Sequence, residues 1–198
     1  MSCALIAIKG RSQCKSRLAE VLAPAQRLQL VRSMLDSVIS AARNARTVRH
    51  ILIVSPERDC VPGDIAVLAD TGCGLNGSLS AAHMTLQDLG CQEVVVLPAD
   101  LPLVTAKDID DMVRIGRSGG FAIAPDAAGI GTNALYIRSP QSFSFRFGPD
   151  SRRLHLEQAL NLGLNPQVVQ RAGLQFDVDS PDDLINLLES AWPTHLQA

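Results

Sequence analysis

Apolar runs of strand length alternate along the chain with longer runs whose apolar residues recur at helical spacing, and this alternation constrains the fold more than any other feature. A strand followed by an amphipathic helix buries both apolar faces when the helix crosses back over the sheet, which gives a largely parallel sheet flanked by helices. The strand-type runs are Cys3–Ile8, Val48–Val54, Ile65–Leu68, Glu93–Leu97, Phe121–Ala124 and Asn133–Ile137, with short strands expected at Val168–Gln170 and Gln175–Val178. Leu28, Val31, Leu35, Val38 and Ala42 mark a helix over 24–44 opened by Pro24. Further helices are predicted over 78–89, from a Thr105/Asp108 capping box to Arg117, over 152–162 carrying His155, and over 181–190 behind Ser180, Pro181 and Asp183. A chain of 198 residues, 46% of them hydrophobic, suffices for one such core. One domain over 1–198 is therefore expected, with a loose tail over 192–198.

Composition removes several classes of function. The net charge of -2 comes from acidic and basic residues interspersed along the chain, without a lysine-rich run and with few aromatic residues to stack bases, so nucleic-acid binding is not expected. The first apolar run is too short for a signal segment and meets Lys9 at once, and no run is long enough to cross a bilayer. A soluble, cytoplasmic protein without a membrane partner is expected. The five cysteines Cys3, Cys14, Cys60, Cys73 and Cys91 are spread out with no C-x-x-C pair, which reads as reduced thiols rather than a disulfide framework or zinc site.

The run V-V-V-L-P-A-D-L-P-L, residues 94–103, ends a buried strand in a carboxylate, Asp100, between Pro98 and Pro102. A carboxylate beside an apolar core costs several kcal/mol unless a cation or hydrogen bonds stabilise it. The next helix is capped at Thr105, so capping does not explain Asp100. A second acidic pair occurs in Phe176-Asp177-Val178-Asp179, where residues two apart in an extended segment share a side, although Asp179 also reads as a solvated acid before the last helix. Three oxygen donors without a histidine or cysteine cluster favour Mg²⁺, held together with substrate phosphates.

The connection after the first strand carries Lys9-Gly10-Arg11 and Lys15-Ser16-Arg17-Leu18. In open α/β sheets that connection borders the ligand crevice, so it suits phosphates, although a solvated basic loop has the same composition. Gly72-Cys73-Gly74-Leu75-Asn76-Gly77 satisfies G-x-G-x-x-G and keeps a nicotinamide-dependent oxidoreductase as an alternative, yet it follows the third strand and no hydride-transfer set accompanies it. Gly131-Thr132-Asn133 and Phe147-Gly148-Pro149-Asp150-Ser151 offer small residues and hydroxyls to an anion, with Ser151 as a candidate cap of the helix that carries His155. No serine or cysteine nucleophile with a partner histidine is evident. An acceptor that is itself a phosphate needs no general base at neutral pH.

Lys9, Lys15-Ser16-Arg17-Leu18, Gly74-Leu75-Asn76, Pro98-Ala99-Asp100-Leu101-Pro102, Gly131-Thr132-Asn133-Ala134-Leu135, Phe147-Gly148, Ser151, His155, Asp177 and Asp179 occur in an order and spacing that resembles the 2-phospho-lactate guanylyltransferase family. That family includes the phosphoenolpyruvate and 3-phospho-D-glycerate guanylyltransferases of coenzyme F-420 biosynthesis. It sits among nucleotidyltransferases that include the molybdenum-cofactor guanylyltransferase.

The resemblance implies a Rossmann-like fold of the nucleotide-diphospho-sugar-transferase type and transfer of GMP from GTP to a phospho-acid, with release of pyrophosphate. By the same resemblance Lys9, Lys15 and Arg17 would hold the triphosphate. Asn76, Leu75, Pro98 and the Gly74–Gly77 backbone would read guanosine, and Asp100, Asp177 and Asp179 would hold Mg²⁺. Thr132, Gly148 and Ser151 would bind the acceptor, a downstream transferase would take the product, and a homodimer stays open. Ala7 stands where the family often has proline, and Gly77-Ser78 where it usually has Ala-Ala. The second change would suit the hydroxylated 3-phospho-D-glycerate by altering pocket volume and polarity. A non-catalytic nucleotide-binding regulator is the remaining alternative, and it would have no need of the three carboxylates.

Overall fold

The computed structural model describes residues 2–8, 15–58, 61–69, 73–138, 143–190 and 192. Among these residues seven strands form one sheet: β1 (Ser2–Ala7), β2 (Val48–Ser55), β3 (Ala66–Ala69), β4 (Glu93–Pro98), β5 (Gly120–Pro125), β6 (Thr132–Arg138) and β7 (Asn165–Val168). Their order is β3-β2-β1-β4-β6-β5-β7, parallel throughout except for β6, which runs against both β4 and β5. The helices are α1 (Pro24–Asn44), α2 (Gly74–Asp88), α3 (Ala106–Gly119), α4 (Ser151–Asn161), the short α5 (Ala172–Gln175) and α6 (Pro181–Glu189), with a 3-10 turn at Ser16–Leu18. The mixed α/β fold with a mostly parallel sheet, expected from the alternation of apolar runs, is the one observed.

Side-chain alternation along the strands divides the core between the two faces of the sheet. Ala4, Ile6, Val95, Leu97 and Tyr136 pack with Leu35, Val38 and Ile39 of α1 and with Ile109, Met112 and Val113 of α3. Leu5, Val94, Val96, Leu135 and Ile137 pack on the opposite face with Leu79 and Leu86 of α2, Ala159 of α4, and Phe143 and Phe145. Burial of each large aliphatic side chain contributes about 1.5–3 kcal/mol. Gly116 lets α3 lie close to the sheet, because a Cβ there would meet the Tyr136 ring.

A third cluster fastens the chain around the crevice. Leu18, Leu30, Met34, Val178, Leu187 and Trp192 are buried together, tying the turn after Lys15 and the 176–179 segment to α1 and α6. Trp192 is thus not part of a loose tail: its indole N–H donates to Ser37 Oγ at 3.1 Å. Residues 193–198 lie outside the described residues.

Several elements differ from the sequence expectation. α2 starts at Gly74 rather than residue 78, because Leu75 and Leu79 already form one apolar stripe, so the glycine segment is the helix's first turn. β7 begins at Asn165, pairing beside β5. Gln175–Val178 is not a strand: α5 ends at Gln175, and 176–179 runs on without a sheet partner. Ser151 does not cap α4. It is the helix's first residue, and Asp150, with φ of 55°, occupies the cap position. Cys3 and Cys91 form a disulfide where reduced thiols were expected, because the start of β1 brings Cys3 beside the residue that leads into β4. Cys73 is free and exposed, and Cys14 and Cys60 lie outside the described residues. No helix among the described residues is long and apolar enough to cross a membrane.

Candidate active site

Connections from β1 lead towards β2 on one side, while β4 lies on its other side, so the crevice opens at the carboxyl ends of β1 and β4. The chain places its chemistry there. Beyond β1 the described chain resumes at Lys15, and beyond β4 come Ala99 and Asp100, with the Ala99 N–H donating to the Ala7 carbonyl at 3.1 Å. Because β6 is antiparallel, its first residues, not its last, reach the same edge. Thr132 and Asn133 therefore join a cleft of about 570 Å³, ample for a nucleotide or a cofactor.

A register shift between β5 and β6 accounts for where Thr132 and Asn133 point. Ala124 pairs with Ala134 but Pro125 pairs with Thr132, leaving Asn133 as the extra residue. Such a bulge turns side chains out of strict alternation. Ala134 faces α1 and α3, and alternation would send Thr132 the same way, yet Thr132 Oγ1 lies 3.1 Å from His155 Nδ1 on α4. Asn133 turns instead to Asp177, donating from Nδ2 to Oδ1 at 3.1 Å.

The charged centre of the cleft is Lys15. Its ammonium donates to Asp100 Oδ2 at 2.6 Å and to Asp179 Oδ1 at 2.8 Å. Burial alone would lower the Lys15 pKa, but Asp100 and Asp179 outweigh it and hold the ammonium above its ordinary value. Lys15 adopts φ of 52°, a left-handed conformation that costs a non-glycine residue about 1–2 kcal/mol. The only other non-glycine with positive φ among the described residues is Asp150, directly before Ser151, which also lines the cleft. Backbone strain thus concentrates at this cleft, as it does at functional sites in general.

Asp177 completes the acidic set. Burial pushes its carboxyl pKa up against the Asn133 hydrogen bond, and the negative charges of Asp100 and Asp179 raise it further. The buried Val178 between Asp177 and Asp179 puts the two carboxylates on one side of the extended segment, although no strand forms there. Lys15 bonds two of these three carboxylates, which leaves an oxygen-only, net acidic set of the kind that takes a hard divalent cation. Among the described residues no three acidic, histidine or cysteine side chains stand in metal-holding geometry. The ammonium sits between Asp100 and Asp179, and a metal held by all three would require Lys15 to withdraw.

The remaining expected site residues that are described divide into two groups. Arg17, exposed at the rim, lines the cleft, as do Leu75, Pro98, Thr132, Gly148 and Ser151. Gly74, Asn76 and Gly77 do not. Asn76 has both amide atoms engaged by Phe147: Nδ2 donates to its carbonyl at 3.0 Å, and Oδ1 accepts from its N–H at 2.8 Å. The Asn76 side chain, expected to read the base, ties α2 to the Phe143–Phe147 strap in this structure. Gly77 is needed within the helix, since a Cβ there would come within 2.6 Å of the Cys73 Cβ, and Ser78 is 1% exposed. The Gly77-Ser78 change therefore lies behind the cleft rather than among the residues that line it. Lys9 and Gly72 lie outside the described residues.

The glycine segment also follows β3, the edge strand, rather than a strand at the crevice, and its described glycines, Gly74 and Gly77, do not line the cleft. A dinucleotide fingerprint would cradle its phosphates at the crevice itself. The geometry thus withdraws support from the nicotinamide alternative.

Sequence reasoning gave Asn133 no task of its own and overlooked the strap's attachment to α2 and α4. The signal for Asn133 was a polar residue at the start of an otherwise apolar strand, 6% exposed once folded. The alternation of phenylalanines in S-F-S-F-R-F marked the strap as a half-buried extended segment.

Comparison with known proteins gives the family and the fold. Residues 2–195 match the family described as Guanylyl transferase CofC like. A phosphoenolpyruvate guanylyltransferase of Rubrobacter xylanophilus is 38% identical over 189 residues, spanning 93% of this chain and 92% of that protein. A 3-phospho-D-glycerate guanylyltransferase of Phenylobacterium zucineum is 31% identical, over 94% of this chain and 89% of its own length. Among solved structures, a protein of Desulfovibrio desulfuricans G20 described as a nucleotide-diphospho-sugar transferase shares the fold with a TM-score of 0.78 at 21% identity, covering 95% of this chain and 87% of its own. The manganese complex of Rv0371c from Mycobacterium tuberculosis H37Rv shares it with a TM-score of 0.61 at 16% identity, covering 96% and 98%. The chain belongs to the CofC-like guanylyl transferases, enzymes built on the nucleotidyltransferase fold.

Proposed function

We propose that this protein transfers GMP from GTP to the phosphate of a small phospho-acid, with phosphoenolpyruvate as the preferred acceptor, and releases pyrophosphate. The observation that carries the reading is the convergence of Lys15, Asp100, Asp177 and Asp179 in a cleft that Thr132, Gly148 and Ser151 also line. A cation-and-carboxylate wall suits a triphosphate with its metal, and a wall of hydroxyls and a helix start suits a second anion. The choice of phosphoenolpyruvate rests on the relatives: one that uses it by name is 38% identical, against 31% for the 3-phospho-D-glycerate enzyme.

In this reading an acceptor phosphate oxygen attacks the α-phosphorus of GTP, the bond to the β-phosphate oxygen breaks, and pyrophosphate leaves with that oxygen. No side chain has to remove a proton, because the attacking oxygen is already ionised. Lys15 and Arg17, with Lys9 before them in the sequence, hold the triphosphate, and Leu75 and Pro98 border the nucleoside. Thr132 and Ser151 hydroxyls and the backbone at Gly148 hold the acceptor in line. Asp100, Asp177 and Asp179 would hold Mg²⁺, whose chemistry is to neutralise charge on the phosphate oxygens. In a cytoplasmic setting the resulting diphosphate-linked guanosine would pass to a transferase that adds the deazaflavin precursor of coenzyme F-420.

Incubation with GTP, Mg²⁺ and phosphoenolpyruvate, 3-phospho-D-glycerate and 2-phospho-L-lactate in competition tests this, with mass spectrometry of the guanylylated acid. The expected product is the phosphoenolpyruvate adduct, with pyrophosphate release lost in Asp100→Asn. A different adduct overturns the acceptor assignment, and full activity of Asp100→Asn overturns the site.

A further inference from the structure

His155 is fully buried on α4, yet its side chain is joined directly to Thr132, a residue of the cleft. Its ring lies between Phe143 and Phe147, with centroids 5.9 Å and 5.0 Å away. Both ring nitrogens are engaged. Nε2 lies 2.9 Å from the backbone nitrogen of Arg146, and Nδ1 lies 3.1 Å from Thr132 Oγ1.

These two contacts fix the tautomer. A backbone N–H can only donate, so Nε2 has to be the bare, accepting nitrogen, and the single proton of a neutral imidazole then sits on Nδ1. Nδ1–H consequently donates to Thr132 Oγ1. A hydroxyl that accepts from a histidine keeps its own proton for another partner. Thr132 lines the cleft, so that proton is left for whatever occupies it. The chain of donors runs Arg146 N–H to His155, His155 Nδ1–H to Thr132, and Thr132 O–H into the cleft. Burial agrees with the neutral ring, since it pushes the His155 pKa down to about 4.

We propose that His155 is a positioning residue that sets the Thr132 hydroxyl as an obligatory hydrogen-bond donor to an anionic oxygen of the acceptor. The proposal rests on the reading that Thr132 faces the acceptor. Without the imidazole, the hydroxyl is free to spend its proton elsewhere and to present lone pairs to an anion, which weakens acceptor binding and leaves the nucleotide wall untouched.

The variants separate the two nitrogens. In His155→Gln the side-chain amide reaches the Nε2 position and can still accept from Arg146, but nothing donates to Thr132. In His155→Asn the amide sits at the Nδ1 position and can still donate to Thr132. Steady-state kinetics with GTP, Mg²⁺ and phosphoenolpyruvate should show the acceptor KM raised roughly tenfold or more in His155→Gln, the worth of one hydrogen bond to a charged group. The GTP KM should stay within about twofold, and His155→Asn should recover much of the loss.

Thr132→Val should cost about as much as His155→Gln, and the double variant no more than either, because both remove one hydrogen bond. If Thr132→Val leaves the acceptor KM unchanged, the placement of Thr132 against the acceptor is wrong. If Thr132→Val raises the KM while His155→Gln does not, or if the two losses multiply, the role of His155 is wrong. The unmutated protein gives a check independent of variant folding: long-range ¹H–¹⁵N spectra of ¹⁵N-histidine-labelled protein should show His155 as the Nδ1–H tautomer. An Nε2–H tautomer overturns the proposal.

Discussion

Lys15 Nζ lies 2.6 Å from Asp100 Oδ2, so the carboxylate at the end of β4 is neutralised from within the chain. The same ammonium bonds Asp179 at 2.8 Å. A single flexible lysine thus stands at the meeting point of the carboxylates proposed to hold the metal. It has two destinations, the carboxylates and the triphosphate, and one charge cannot serve both at full strength.

Removing that charge should therefore separate metal binding from catalysis. In Lys15→Met a divalent cation no longer competes with an ammonium for Asp100 and Asp179, so Mn²⁺ binding to the nucleotide-free protein should tighten about tenfold. That is a small part of what direct repulsion between charges of +1 and +2 at ~4 Å would give at an effective dielectric of ~20, because the wild-type side chain can move away. Guanylyl transfer should fall at the same time by about 100-fold, since the triphosphate loses a partner. Mn²⁺ titration followed by electron paramagnetic resonance gives the first quantity and pyrophosphate release the second. Unchanged or weaker Mn²⁺ binding would show that Lys15 and the metal do not share these carboxylates.

Asn76 gives a second separation, between reading a base and holding a strap. Its two bonds to the Phe147 backbone are partly buried, and truncation leaves an N–H and a carbonyl to find water. Asn76→Ala should destabilise the fold by about 1–3 kcal/mol. For a chain of this size that is a fall of a few degrees or more in Tm, roughly 2–4 °C per kcal/mol. GTP and ATP should be affected alike, because the side chain that is lost touches the strap and not the base. Differential scanning calorimetry and parallel kinetics with the two nucleotides test this. A collapse of the preference for GTP with an unchanged Tm would restore the base-reading role.

Asn76 also shows where sequence reading stops. The α1 boundaries were legible because Pro24 and a long apolar stripe mark them, and α3 because Thr105 and Asp108 form a reciprocal cap. The start of α2 was hidden, since Gly74, Asn76 and Gly77 are weak helix formers and Cys73 provides no capping side chain. Asp100, Asp177 and Asp179 could be grouped on chemistry alone because isolated carboxylates near apolar runs require a cation. The partner actually present, Lys15, was assigned to phosphates instead: no local pattern reveals a contact between residues 15 and 179. The direction of Thr132 depended on a bulge between β5 and β6, which arises from pairing across strands rather than from either strand's own residues.

The buried imidazole behind Thr132 makes stability itself depend on pH. Burial, with the positive charge of Arg146 adding to it, pushes the His155 pKa down to about 4 from an ordinary 6.5. Between those values the unfolded chain binds a proton that the folded one refuses, so stability is complete above about pH 6.5 and falls as the pH drops towards 4. At pH 5 the loss is on the order of 2 kcal/mol, from the conversion of ~1.4 kcal/mol per unit of displacement. His83, also lowered by burial, works in the same direction. Glu93 contributes below this window, because Arg117 and Ser2 hold its carboxylate at about 2 against the opposing effect of burial. Urea unfolding at pH 7 and pH 5 should show the midpoint falling in the native protein and falling less in His155→Gln, with the remainder belonging to His83. Equal falls in the two proteins would mean that His155 is not held neutral in the fold.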